Sequence, residues 1–215
     1  MSVETYLAED GTGSFKSWYV PDLLPSEIAD ICLAFVFESP YVDEVAAGVP
    51  MVGKAGQLAL EYILGSQANG RSLGRVVEAQ HREGNSRIAI LNTSKVPLES
   101  VMDPGETDLG EADWILLDKV RRSNAATATS MMLAQANNAG RVLRDNLERR
   151  VNDLNLSPDA TLVAGGVCAQ RFVRSFTVKS GRAPLNVPHP ARRNWQNAPT
   201  HAGLLEVRRL FLASS

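Results

Sequence analysis

Four short apolar runs punctuate the chain: Ile31–Phe37, Arg87–Asn92, Thr161–Gly165 and Leu185–Pro188. They are rich in Ile, Val and Leu without clean alternation, which is the pattern of strands buried on both faces. Helical patterns lie between and around them. Leu24–Asp30 opens on a Pro-Ser-Glu start signal, and the stretch 53–64 sets Leu58, Leu60, Tyr62, Ile63 and Leu64 at helix-compatible spacing. A longer one, 130–154, carries a stripe of Leu133, Val142, Leu143, Leu147 and Val151. Val167–Phe176 and Ala202–Leu212 complete the set. Strands alternating with helices imply parallel crossovers, so the expected fold is α/β: a three-layer α/β/α sandwich around a small, mainly parallel four-stranded sheet. Gln67–Asn85 and Ser94–Gly110, rich in Gly, Ser, Asn, Asp and Pro, read as loops over one rim. In open sheets of this kind ligands bind outside the carboxyl ends of the strands, so functional side chains are expected just after each run.

With 215 residues and 44% hydrophobic content, the chain suits one domain spanning 1–215, with a core that needs no disulfide or metal. A net charge of -2 argues against a protein that is basic throughout, so any nucleic-acid contact must come from a local patch. One candidate lies between Arg171 and Arg193, where Arg171, Arg174, Lys179, Arg182, Arg192 and Arg193 occur without an Asp or Glu. That stretch is either a phosphate-facing surface or an ordinary solvated face. Cys32 and Cys168 are far apart and read as small buried hydrophobes, not as a zinc or disulfide framework. The acidic start, Met1–Asp10, has no signal-peptide apolar core and no run is long enough to span a bilayer. The expectation is a cytoplasmic protein.

After the first run comes Phe37-Glu38-Ser39-Pro40-Tyr41-Val42-Asp43-Glu44, and then Gly48-Val49-Pro50-Met51-Val52-Gly53-Lys54-Ala55-Gly56-Gln57-Leu58. The second run ends in Leu91-Asn92-Thr93-Ser94-Lys95, the third continues as Ala164-Gly165-Gly166-Val167-Cys168-Ala169-Gln170, and the fourth as Val187-Pro188-His189-Pro190-Ala191-Arg192-Arg193-Asn194. In type, order and spacing these segments resemble the motifs of the uracil-DNA glycosylase superfamily. The nearest pattern is the bacterial and archaeal branch that usually carries an iron-sulfur cluster. There the first strand ends in Gly-Glu-Ala-Pro-Gly, followed by acidic residues and Gly-x-Pro-Phe-Val-Gly-x-Ala-Gly.

The resemblance implies an enzyme that flips a pyrimidine nucleotide out of DNA and hydrolyses its bond to the sugar, leaving an abasic site. Breaking that bond puts positive character on the sugar and negative charge on the base, which calls for a carboxylate near one and a donor near the other. Glu38 matches the family's carboxylate and His189 the donor to the pyrimidine oxygen. Asn92 matches the amide that reads one base edge, and Ser39, Tyr41 and Met51 fall at base-pocket positions. Asp43 and Glu44 match trailing acidic positions and read as capping or solvated residues. Lys54, Gly166, Gln170, Arg192 and Arg193 are the implied DNA contacts, with the 190–193 loop filling the gap left by the flipped base. Trp195 either stacks on a neighbouring base or belongs to the core.

Several departures narrow these implications. Relatives with a cluster use four cysteines and this chain has 2, so no iron-sulfur cluster and no other cofactor is expected. The family's stacking Phe is Met51 here, and the leading and last glycines of its first motif are Phe37 and Tyr41. A flexible Met on the pocket floor tolerates a larger base. The expected substrate is therefore a modified pyrimidine, such as a bulky 5-substituted cytosine of the kind found in phage DNA, which would imply a defence role. The alternatives are a uracil-DNA glycosylase of base-excision repair and a non-catalytic member that binds DNA or lesions. A third reading, a nucleotide-binding protein using Gly165-Gly166 as a phosphate cradle, lacks the Gly-x-Gly-x-x-Gly spacing and the Lys-Ser or Lys-Thr that such cradles carry. The expected partner is DNA, met by a monomer.

Overall fold

The computed structural model describes residues 2–25, 30–84, 87–100, 109–122, 138–179 and 182–214. Its sheet has four parallel strands: β1 (Ile31–Phe37), β2 (Ile88–Asn92), β3 (Leu156–Gly165) and β4 (Leu185–Val187), in the order β2-β1-β3-β4. Helices flank it on both sides. One apolar cluster joins Ala34, Val36, Ala89 and Leu162 to Leu143, Leu147 and Phe172. The other joins Leu33, Phe35, Ile88, Ile90 and Val163 to Leu60, Ile63, Val207 and Phe211. Because side chains alternate across a strand, adjacent strand residues feed opposite layers, and the three-layer α/β/α sandwich expected from the runs is the fold.

The helices are α1 (Val3–Leu7), α2 (Val42–Ala47), α3 (Lys54–Leu64), α4 (Leu73–Arg82), α5 (Glu111–Arg122), α6 (Asn138–Asn152), α7 (Val167–Val173), α8 (Asn194–Asn197) and α9 (Ala202–Ser214). Several differ from expectation. The 67–85 stretch is not a loop throughout, because α4 occupies its middle and buries Leu73, Val76 and Val77 at helical spacing. α5, absent from the sequence reading, buries Trp114, Leu117 and Val120. The expected helix 130–154 is α6 from Asn138 onward, while 130–137 lie outside the described residues, as do 26–29 of Leu24–Asp30 and 101–108 of Ser94–Gly110. α7 ends at Val173, short of Phe176.

β3 starts at Leu156, five residues before the apolar run. Ile31 pairs with Leu156 and Leu33 with Thr161, so a bulge holding Pro158 and Asp159 separates the two registers. Proline has no ladder donor and is accommodated at such irregularities, which hid the strand's first half. Strand order reverses at the β1/β3 pair, with β2 on one side and β4 on the other. The crevice of an open parallel sheet lies at that switch point. Among the described residues no helix is long and apolar enough to cross a membrane.

Candidate functional site

β1 and β2 deliver their last residues to one cleft of about 730 Å³, which His189, two residues beyond β4, also lines. Phe37 and Asn92 are register partners at the ends of β1 and β2. The pairing continues past the strands, with Thr93 N donating to Phe37 O at 2.8 Å and Ser94 N to Glu38 O at 3.1 Å. Glu38, Ser39, Tyr41, Met51, Lys54, Asn92, His189 and Arg192 all line the cleft, together with Asp43, Glu99, Arg121 and Arg122.

Asn92 is 3% exposed, and its Nδ2 is buried without a hydrogen-bond partner among the described residues. A buried amide N–H left unmet costs roughly 1–3 kcal/mol, and this one belongs to a residue that lines the cleft. The backbone beneath it is held by Arg150 of α6, whose Nη2 donates to Asn92 O at 2.9 Å and Thr93 O at 2.8 Å. Burial lowers the Arg150 pKa, and Asp22, at 2.7 Å, opposes that shift.

His189 follows β4. Its Nδ1 accepts from Ala191 N at 3.2 Å, which assigns the ring proton of the neutral imidazole to Nε2. Burial pulls its pKa down to about 4, so the ring is a neutral Nε2–H donor at physiological pH. The loop around it is fastened by Trp195 Nε1 to Pro188 O at 2.6 Å and Asn194 Nδ2 to His189 O at 2.9 Å. Trp195 is fully buried, which decides its two readings in favour of the core.

Glu38 Oε1 accepts from Arg121 Nη1 at 3.1 Å, while Oε2 has no partner among the described residues. Arg121 also pairs with Glu99 at 3.1 Å and Asp118 at 2.7 Å. Burial works to lower its pKa, but Asp118, Glu38 and Glu99 outweigh it and raise the pKa. The sequence does not point to Arg121, because α5 is not legible in it and Glu38, the partner that joins Arg121 to the site, lies 83 residues away.

The chain matches no family model and no curated protein.

The cleft floor is shaped by Met51, which is 2% exposed and has φ +58°, a left-handed conformation that costs a non-glycine residue. Its N–H donates to Glu44 Oε1 and its carbonyl accepts from Gly74 N at 3.0 Å. Glu44 also accepts from Tyr41 N at 3.0 Å, so its side chain caps the N-terminus of α2 as expected. Burial pushes its carboxyl up to about 7, against the opposing pull of the Met51 and Tyr41 amides. Tyr41 lies at the cleft with 55% of its surface exposed.

Three implied DNA contacts stand elsewhere. Gly166 N and Gln170 Nε2 both donate to Val187 O, at 2.9 and 2.7 Å. A Cβ on Gly166 would lie 3.0 Å from that of His189. Gly166 therefore packs against His189, and both residues fasten α7 to the end of β4 through the Val187 carbonyl. Arg193 turns away to pair with Glu61 at 2.9 Å. The 171–193 basic run does not form one face either. Arg171 is 5% exposed and reaches the carbonyls of Val120 and Arg121, Arg182 pairs with Asp159, and Arg192 alone of the run lines the cleft.

Proposed function

We propose that this protein is a base-excising hydrolase of the uracil-DNA glycosylase type, acting on DNA as a cytoplasmic monomer. The observation that carries the reading is the convergence of a carboxylate, an unmet buried amide and a neutral imidazole donor on one cleft, from the ends of β1, β2 and β4. The N–H of Asn92 meets a carbonyl on the flipped pyrimidine. As the C1′–N1 bond breaks, its electron pair passes to the base, and His189 Nε2–H donates to the base oxygen that gathers the charge. The Glu38 carboxylate faces the sugar cation. Water bonds to C1′ through its oxygen and gives a proton to Glu38 Oε2, while the departing base takes a proton from solvent. Exposed Lys54, Arg122 and Arg192 at the cleft meet backbone phosphates.

A cleft of about 730 Å³, floored by a flexible Met51 and with Tyr41 turned largely to solvent, supports a pyrimidine larger than uracil, including the 5-substituted cytosines of phage DNA. The test is an abasic-site assay on single- and double-stranded oligonucleotides carrying uracil or 5-substituted cytosines. Alkali-labile strand breaks at the modified position are expected, lost in Glu38→Gln and reduced by about 100-fold in His189→Asn. Release of uracil alone overturns the modified-base part, and no release from any substrate, with DNA still bound, overturns the enzyme.

A further inference from the structure

We propose that Arg121 is the positioning residue for the Glu38 carboxylate, a role that rests on the base-excision reading above. Its guanidinium is used on every side. Nη1 donates to Glu38 Oε1 at 3.1 Å, Nη2 and Nε reach Asp118 Oδ1 at 2.7 and 3.1 Å, and Nη2 also pairs with Glu99 at 3.1 Å. The side chain is 14% exposed, whereas that of its neighbour Arg122 is 70% exposed. An arginine that only solubilised the end of α5 would resemble Arg122.

Three carboxylates around one planar fork leave it no second orientation, and the fork then dictates where Glu38 points. One oxygen is held and the other is left for water. The backbone under Arg121 is fixed as well, because Arg171 of α7 donates to the carbonyls of Val120 and Arg121. The same helix has Gly166 as its N-cap, and Gly166 packs against His189. The carboxylate and the imidazole are thus referred to one rigid element, and Arg121 is the link on the carboxylate side.

The experiment is single-turnover base release from the oligonucleotide panel named above, measured alongside DNA affinity and thermal midpoint. Arg121→Ala should release base about 100-fold more slowly with affinity changed less than about threefold. Arg121→Lys, which keeps the charge without the fork, should recover part of that loss, and ethylguanidinium added to Arg121→Gly should restore rate in a saturable manner. Release by Arg121→Ala within about threefold of the wild type overturns the proposal. So does a loss that tracks a fallen thermal midpoint and is indifferent to ethylguanidinium. Should the truncated variants fail to fold, the Glu99→Gln, Asp118→Asn double variant, which frees the fork, must slow release at unchanged affinity, and an unchanged rate overturns the proposal. A wild type inert on every oligonucleotide overturns the base-excision reading and this role with it, whereas an active wild type indifferent to Arg121 overturns this role alone.

Discussion

Glu44 and His189 both line the cleft and have pKa values shifted in opposite directions. Burial raises the Glu44 carboxyl from the ordinary 4.5 to about 7, so between those values the folded state holds more protons than the unfolded one and stability falls as pH rises. Burial lowers His189 from 6.5 to about 4, so between about 4 and 6.5 the unfolded state holds more protons and stability rises with pH. Each slope is at most about 1.4 kcal/mol per pH unit, and from about 4.5 to 6.5 they oppose one another. Urea denaturation across that window should therefore rise more steeply with pH in Glu44→Gln than in the wild type, and less steeply in His189→Asn. Identical slopes in all three proteins would refute the assignment. Met51 gives a second prediction at this scale. A Cβ at Gly56 would stand 1.8 Å from its carbonyl oxygen, and one at Gly74 would stand 2.0 Å from that of Pro50. Backbone must move in both cases, so Gly56→Ala and Gly74→Ala should each cost about 3 kcal/mol in denaturant titrations. Gly48, with φ +63° and open space around it, carries a conformational cost instead of a clash.

Elements that feed the core wrote themselves into the sequence, because burial on both faces leaves a continuous apolar run and helix packing leaves a 3.6-residue stripe. β1 is legible to the residue for that reason, and α3 nearly so. α4 and α5 hide because a single narrow stripe suffices for a helix lying on the surface. Leu73, Val76 and Val77 are diluted by Gly, Arg and Gln, and Trp114, Leu117 and Val120 by charged neighbours. Glu38, Asn92 and His189 are readable since each ends or follows a strand within a motif. Arg121 and Arg150 are not, since the site residues they hold, Glu38 and Asn92, lie 83 and 58 residues away and only the fold brings them together. The α5–α7 junction makes a prediction of its own. Replacing Arg171 by Leu strips the donors from the carbonyls of Val120 and Arg121, leaving the end of α5 uncapped at a cost of about 2 kcal/mol. Amide exchange in the last turn of α5 should quicken well before that in β1, and uniform quickening would mean that the contact holds the whole fold instead of this helix end.

At the scale of the whole molecule the charge is nearly balanced, so affinity for DNA has to come from where the cations stand. Most arginines are already engaged by carboxylates of the protein itself, and a cation held in such a pair releases few counterions when a phosphate approaches. Arg193 is committed to Glu61 and Arg182 to Asp159. Lys54 and Arg192 are exposed at the cleft with no carboxylate partner among the described residues, while Arg122 has only the Asp118 pairing at the end of an exposed side chain. Binding to a duplex should therefore weaken with salt along a shallow line set by these few groups. Each phosphate contact adds about 0.9 to the slope of log affinity against log salt. Lys54→Ala and Arg192→Ala should each flatten that line by nearly one contact, Arg122→Ala by less, and Arg182→Ala and Arg193→Ala hardly at all. Equal flattening by Arg193→Ala would place the DNA across the outer surface of α8 and α3, away from the cleft, and would separate the bound strand from Glu38, Asn92 and His189.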